Sequence, residues 1–303
     1  MGMFKWADED SKGSPLFAGA LAVGSAGASP LSEYLVDDIL FPSYRSLESE
    51  IIGSSGEINL DQIKALKNKM LDKSLRDNFL ILPSKDNIGS FSKVTKKYLP
   101  DRAELESFLR KGGLQTFEGT ANPIRAVHAI RDAGGFISLP RSNSHAITLA
   151  HELGHATALN PGSTIRSSRP YNFIDSLGRS LMESGSRNAL GAALIAGSFD
   201  SDDKKKWLVP GGIGITQAAV LGEEALASYK AMQALKSLKD TPSRELVVAG
   251  EGAGKLFAPS LIENAGKNLR RAWGTYGLTA AGLLAAPILA IKAREQWDKG
   301  RRN

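Results

Sequence analysis

His151 and His155 stand four residues apart with Glu152 beside the first, in the run His151-Glu152-Leu153-Gly154-His155. Residues four apart on a helix share a face about one turn apart, so two imidazoles at this spacing can address a single ion. A carboxylate next to the first histidine is placed to take a proton from a water on that ion. The chain has no cysteine, which excludes disulfides, thiolate nucleophiles, iron-sulfur clusters and sulfur-based zinc sites. Any transition metal must therefore be held by nitrogen and oxygen, and zinc (Zn2+) is the natural occupant for paired neutral imidazoles. The competing reading, two histidines satisfied in a helical core, leaves Glu152 unexplained on an otherwise apolar helix.

A catalytic zinc site takes three protein ligands and keeps one position open, so a third residue must complete the pair. The other two histidines, His128 and His145, lack suitable spacing and read as surface or structural residues. No third histidine follows His155 at the distance of the extended metzincin motif. Carboxylates are better candidates. Glu223 and Glu224 lie in the first turn of a helical run, LGEEALASYKAMQALKSL over 221–238, inside otherwise apolar sequence. Acids there also suit the helix dipole, which is the alternative explanation for both.

The elements that must position these groups follow from pattern and punctuation. Phe136 to Leu139 reads as a short strand bounded by Gly134, Gly135 and Pro140. Asn143 or Ser144 then caps a helix with Ile147, Leu149, Ala150, Leu153 and Ala158 apolar, ending near Asn160, Pro161 and Gly162. Upstream, helical spacing runs from Leu31 to Ile39 and from Asn59, a plausible N-cap, to Leu75. Phe79 to Leu82 reads as a strand ended by Pro83, and Pro100 to Leu109 as a helix stopped by Gly112 and Gly113. Lys93, Lys96 and Lys97 read as a solvated face.

Taken together, GGFISLP, a helix bearing HELGH and a later E-x-x-A-S segment resemble the gluzincin metallopeptidases related to the membrane CAAX-prenyl proteases and heat-shock quality-control proteases. The resemblance covers roughly Ile124 to Leu235. It implies a glycine-containing edge strand before the HExxH helix, His151 and His155 as ligands, Glu152 as general base, and Glu224 rather than Glu223 as third ligand. Ser228 stands where that family has an Asp supporting the ligands. The implied activity is zinc-dependent hydrolysis of peptide bonds in a peptide or protein substrate, with Glu152 moving the proton to the leaving amine. Tyr229, Arg244 and His145 are candidates for steadying the oxyanion.

The 303-residue chain, 42% hydrophobic and 23% charged, suits one large domain or two modest ones. The pattern divides it into a weakly apolar Gly/Ala-rich segment (1–30), a helical N-terminal region (31–115), a zincin-like core (116–240), and a linker with an apolar, basic C-terminal segment (241–303). The fold class expected is α+β, mainly helical. GEGAG at 250–254 reads as linker, lacking the full phosphate-loop pattern. The opening MGMFKWADED carries acids where a secretory signal is basic, and Trp6 stands where myristoylation needs Ser or Thr, so neither signal is expected.

Two apolar stretches, Asn188 to Phe199 and Leu208 to Leu221, flank the charged DSDDKKKW and read as a hairpin of buried core helices, with partial membrane insertion the alternative. Ala272 to Ile291 has no charged residue, basic residues on both flanks, and Trp273 and Tyr276 at one end, as a membrane-inserting helix would. Membrane contact through 272–291, and through 188–221 in the alternative to burial, is one expectation, with a buried helix or an oligomer contact the other readings of 272–291; placement is membrane-associated or cytoplasmic. The formal charge of +6 suits a membrane surface more than nucleic acid, which nothing else indicates. The rival to a peptidase is a structural or delivery protein, such as a virion or phage tail component, keeping a zincin fold with little or no proteolysis.

Overall fold

A computed structural model describes residues 58–84, 89–93, 114–116, 119–121, 123–140, 146–183, 185–243 and 254–302. Its elements, in chain order, begin with α1 (Leu60–Met70), α2 (Lys73–Arg76), β1 (Ile81–Ser84), β2 (Ser90–Lys93), β3 (Leu114–Thr116) and β4 (Gly119–Ala121). They continue with α3 (Pro123–Ala133), β5 (Gly135–Pro140), α4 (Ala146–Ala156), α5 (Arg169–Glu183), α6 (Gly185–Gly197), α7 (Leu208–Ser237) and α8 (Pro259–Arg302). The protein is mainly helical with a small three-stranded sheet, as the α+β expectation required. The expected elements at 31–39 and 100–109, the caps at Asn143 and Ser144, and most of the 250–254 linker lie outside the described residues.

The chain divides into two compact units. Within the described residues the sheet unit takes 58–173 and 220–274, and the helical unit takes 174–219 and 275–302.

In the sheet unit, Asn59 caps α1 as its sequence implied. Its side chain accepts from the Gln62 amide while the Gln62 side chain accepts from the Asn59 amide, a complete capping box. The predicted single helix to Leu75 breaks at Leu71, because Asp72 accepts from the amide and hydroxyl of Ser74 and starts α2 afresh. Pro83 does not end its strand. It sits within β1, which is bonded on one side only, where a residue without an N–H is tolerated.

The strand GFISLP corrects a larger expectation. The order is β1-β5-β2, so β5 is the central strand, parallel to β1 and antiparallel to β2, and not an edge. Its Ile137 and Leu139 are fully buried; β1 answers the strand expected at 79–82, whereas β2 lies where no strand was expected. Gly135 is required there: a Cβ would approach the Ser92 carbonyl oxygen to 2.8 Å. This sheet packs with α1 and α4 over one core that includes Ile63, Leu66, Phe79, Ile147, Leu153 and Phe257.

In the helical unit, α6, the 208–219 part of α7 and the 275–302 part of α8 meet around Ala189, Ala192, Ile213 and Leu283. The apolar stretch expected to end at Leu221 runs on without interruption into the helix carrying Glu223 and Glu224, giving the 30-residue α7. The expected pair of buried helices is corrected too. Leu190, Leu194, Ile195, Leu208 and Ile215 are all exposed.

Candidate metal centre

The HELGH helix α4 carries Leu149, Ala150 and Leu153 into the sheet-unit core. That burial fixes its rotation and turns His151 and His155 toward α7. Gly154 sets the separation of the two helices. A Cβ on it would stand 2.4 Å from the Ala227 carbonyl oxygen and 2.7 Å from the Ala227 Cα, so only glycine facing a small residue permits this approach. We expect Gly154→Ala to cost about 1–3 kcal/mol by overpacking, read as a lowered midpoint in urea unfolding. An unchanged midpoint would mean that the helices are not in close contact.

The close approach brings three ligand atoms together. His151 Nε2 lies 3.1 Å from Glu224 Oε2, His155 Nε2 lies 3.2 Å from His151 Nε2, and His155 Nε2 lies 3.5 Å from Glu224 Oε2. A tetrahedral ion with bonds of about 2.05 Å spaces its ligands about 3.3 Å apart, so this triangle has the dimensions of one tetrahedral face. His151, His155 and Glu224 thus form a group that could hold a metal ion. Both rings are oriented for it. His155 Nδ1 lies 3.2 Å from Glu223 Oε1 and His151 Nδ1 lies 3.3 Å from the Ser228 hydroxyl; with Nδ1 as the donor in each pair, both Nε2 atoms are the ones offered to an ion beside Glu224.

Charge tells the same story. Burial works against a charged His155 ring, but Glu224, Glu223 and Glu152 outweigh it and raise its pKa to about 9. Such an excess of carboxylate is what a divalent cation would answer. The His151 side chain keeps 15% exposure, against 8% for His155 and 2% for Glu224, so solvent reaches the group from the His151 side.

Glu223 has a different place from its neighbour because adjacent helical residues point about 100° apart. It faces Arg166, whose Nε donates to Glu223 Oε2 at 2.8 Å and whose Nη2 bonds Glu223 Oε1. The Tyr171 hydroxyl adds a bond to Oε2 at 3.2 Å. Burial opposes ionisation of Glu223, but the bonds and charges of Arg166 and His155 hold its carboxyl far below the usual range. Arg166 also donates to the Thr157 hydroxyl and to the Gly154 and His155 carbonyls, closing the C-terminal end of α4.

Sequence reasoning did not find Arg166, Tyr171 or Thr157. Arg166 lies in a polar loop without periodicity; the one available signal was the doubled acid at 223–224, of which only Glu224 reaches the two Nε2 atoms while Glu223 turns to His155 Nδ1 and Arg166. Lys93 was misread. It is half-buried, and its Nζ donates to the Arg166 carbonyl and the Asn172 side chain. Of the oxyanion candidates, Tyr229 is exposed with its hydroxyl accepting from Gln233, while His145 and Arg244 lie outside the described residues. His128 is exposed on α3. Glu152 is buried beside the pair, and no described residue bonds its carboxylate.

The Ser228 hydroxyl stands beside His151 Nδ1. Ser228→Ala should weaken zinc binding about tenfold and Ser228→Asp should strengthen it by a similar factor, measured by competition with a chromophoric chelator. Equal affinities for all three would remove Ser228 from the site.

Comparison with protein-family models, curated proteins and solved structures found no match for this chain.

Proposed function

We propose that this chain is a zinc-dependent endopeptidase, with His151, His155 and Glu224 as metal ligands and Glu152 as general base. The observation that carries this reading is the convergence of two imidazoles and one carboxylate at near-tetrahedral spacing, with a second carboxylate beside them that no described residue bonds. Zinc there would supply a Lewis acid for a peptide carbonyl and a water acidified toward neutrality.

The protein's own residues do the rest. Glu152 takes the proton from the attacking water and returns it to the leaving amine, a shuttle that needs a carboxylate free of competing partners. Glu223 holds the His155 tautomer, and Arg166 keeps Glu223 ionised and fixed. Glu224, 1% exposed, has no role open to it in proton transfer with bulk water.

Chelator-stripped protein should lose cleavage of casein and recover it when zinc alone is returned. Zinc-loaded, folded protein that cuts neither casein nor unstructured peptides would instead favour the structural or delivery role.

A further inference from the structure

The helical unit is built with its residue types reversed relative to the sheet unit. Large aliphatic side chains point outward: Leu208 is 72% exposed, Ile215 64%, Leu278 61% and Leu289 67%. Small and polar ones point inward around Ile213 and Leu283, among them Ala189, Ala192, Thr216, Gln217 and Thr279. In water this arrangement forfeits the hydrophobic contribution of every outward leucine. In hydrocarbon it is the favoured one, because small residues let helices approach and outward aliphatics meet lipid.

Length and charge agree. On α8 the exposed residues from Trp273 through Leu278, Ala281, Ala285 and Leu289 carry no charge, within the uncharged run Ala272 to Ile291. Twenty helical residues span about 30 Å, the thickness of a bilayer core. Among the described residues α8 is the one helix long and apolar enough to cross a membrane, and only 35% of its most apolar window is buried.

The apolar face ends at a charged and aromatic collar, where Asp200, Asp202 and Asp203 precede Lys204 to Lys206 and Lys292 pairs with Glu295 at 2.9 Å. The turn Lys204–Trp207 between α6 and α7 is joined to the far end of α8 by the Lys206–Glu295 ion pair at 2.7 Å and by Lys292 lying 5.6 Å over the Trp207 ring. Lys204, Lys205 and Lys292 remain exposed beside it. Indole and ammonium groups together at the end of an apolar span match an anionic headgroup layer.

We propose that the helical unit is embedded in a bilayer, with α8 crossing the hydrocarbon and the Lys204–Trp207 turn with Lys292 seated on anionic lipid headgroups. The inference rests on this unit and on residues 272–274, where α8 leaves the sheet unit, and stands independently of the zinc site.

Because the chain lacks cysteine, single labels report unambiguously. The full chain is reconstituted in vesicles containing about one third anionic lipid, with a nitroxide at Leu278→Cys, Ala285→Cys or Lys299→Cys in turn. At the first two positions oxygen should collide with the label about tenfold more effectively than a water-soluble nickel chelate, with the order reversed at Lys299. Free access of the chelate to Leu278 and Ala285 would overturn the proposal. Protection of both from either reagent would overturn it as well, since that face would then lie against protein. Lys204→Glu with Lys205→Glu should lower recovery on anionic vesicles about tenfold without changing recovery on neutral ones; equal loss on both would remove the headgroup contact.

Discussion

Arg166→Met will destabilise the sheet unit by about 3–5 kcal/mol, the largest stability effect expected of any single substitution in the site. Arg166 is 8% exposed and Glu223 4%, so removing the cation strands an ionised carboxylate away from water. The same change removes the Arg166 donor from the His155 carbonyl and leaves the Gly154 carbonyl only the Thr157 hydroxyl. Denaturant unfolding measures the loss, and adding Glu223→Gln should recover part of it by removing the stranded charge.

The pH dependence has a defined sign. Folding depresses the Glu223 carboxyl below its ordinary 4.5, so its contribution is fully present above pH 4.5 and is lost as pH falls toward the folded value. Arg166→Met should flatten that acid limb. An Arg166→Met protein with wild-type stability and acid sensitivity would mean that the buried pair does not form.

Glu152→Gln is expected to lower peptide cleavage by about 10²–10⁴-fold while leaving zinc content unchanged. The amide keeps the shape but cannot accept the proton. The metal should stay because Glu152 is not among the three converging atoms. Stability should change little, since no described residue bonds the carboxylate. Unchanged cleavage would exclude Glu152 as the base, and lost zinc would place it among the ligands.

The site was legible where its determinants are local. HELGH places two imidazoles on one helical face by spacing alone, and Asn59 with Gln62 announces a helix start within four residues. The choice between Glu223 and Glu224 was not local. It depends on the angle at which α7 crosses α4, set by Gly154 against Ala227, and on a loop arginine that binds one of the two acids.

The sheet order was hidden for a similar reason. Four-residue strands such as SFSK have no alternation to detect, so β5 looked like a lone edge although β2 pairs with it from residue 90 to residue 93. The helical unit misled in the opposite way. Its apolar runs were visible, but which residues face outward depends on partners far along the chain, as when a Cβ on Gly214 would meet Leu284.

Metal analysis of the full chain tests the central claim most directly. Protein purified without chelator should carry close to one equivalent of zinc, and Glu224→Ala should carry less than about a tenth of that while remaining folded. Wild-type protein holding less than half an equivalent after zinc loading, or a Glu224→Ala protein that keeps the full complement, would contradict the assignment of His151, His155 and Glu224 as the ligands.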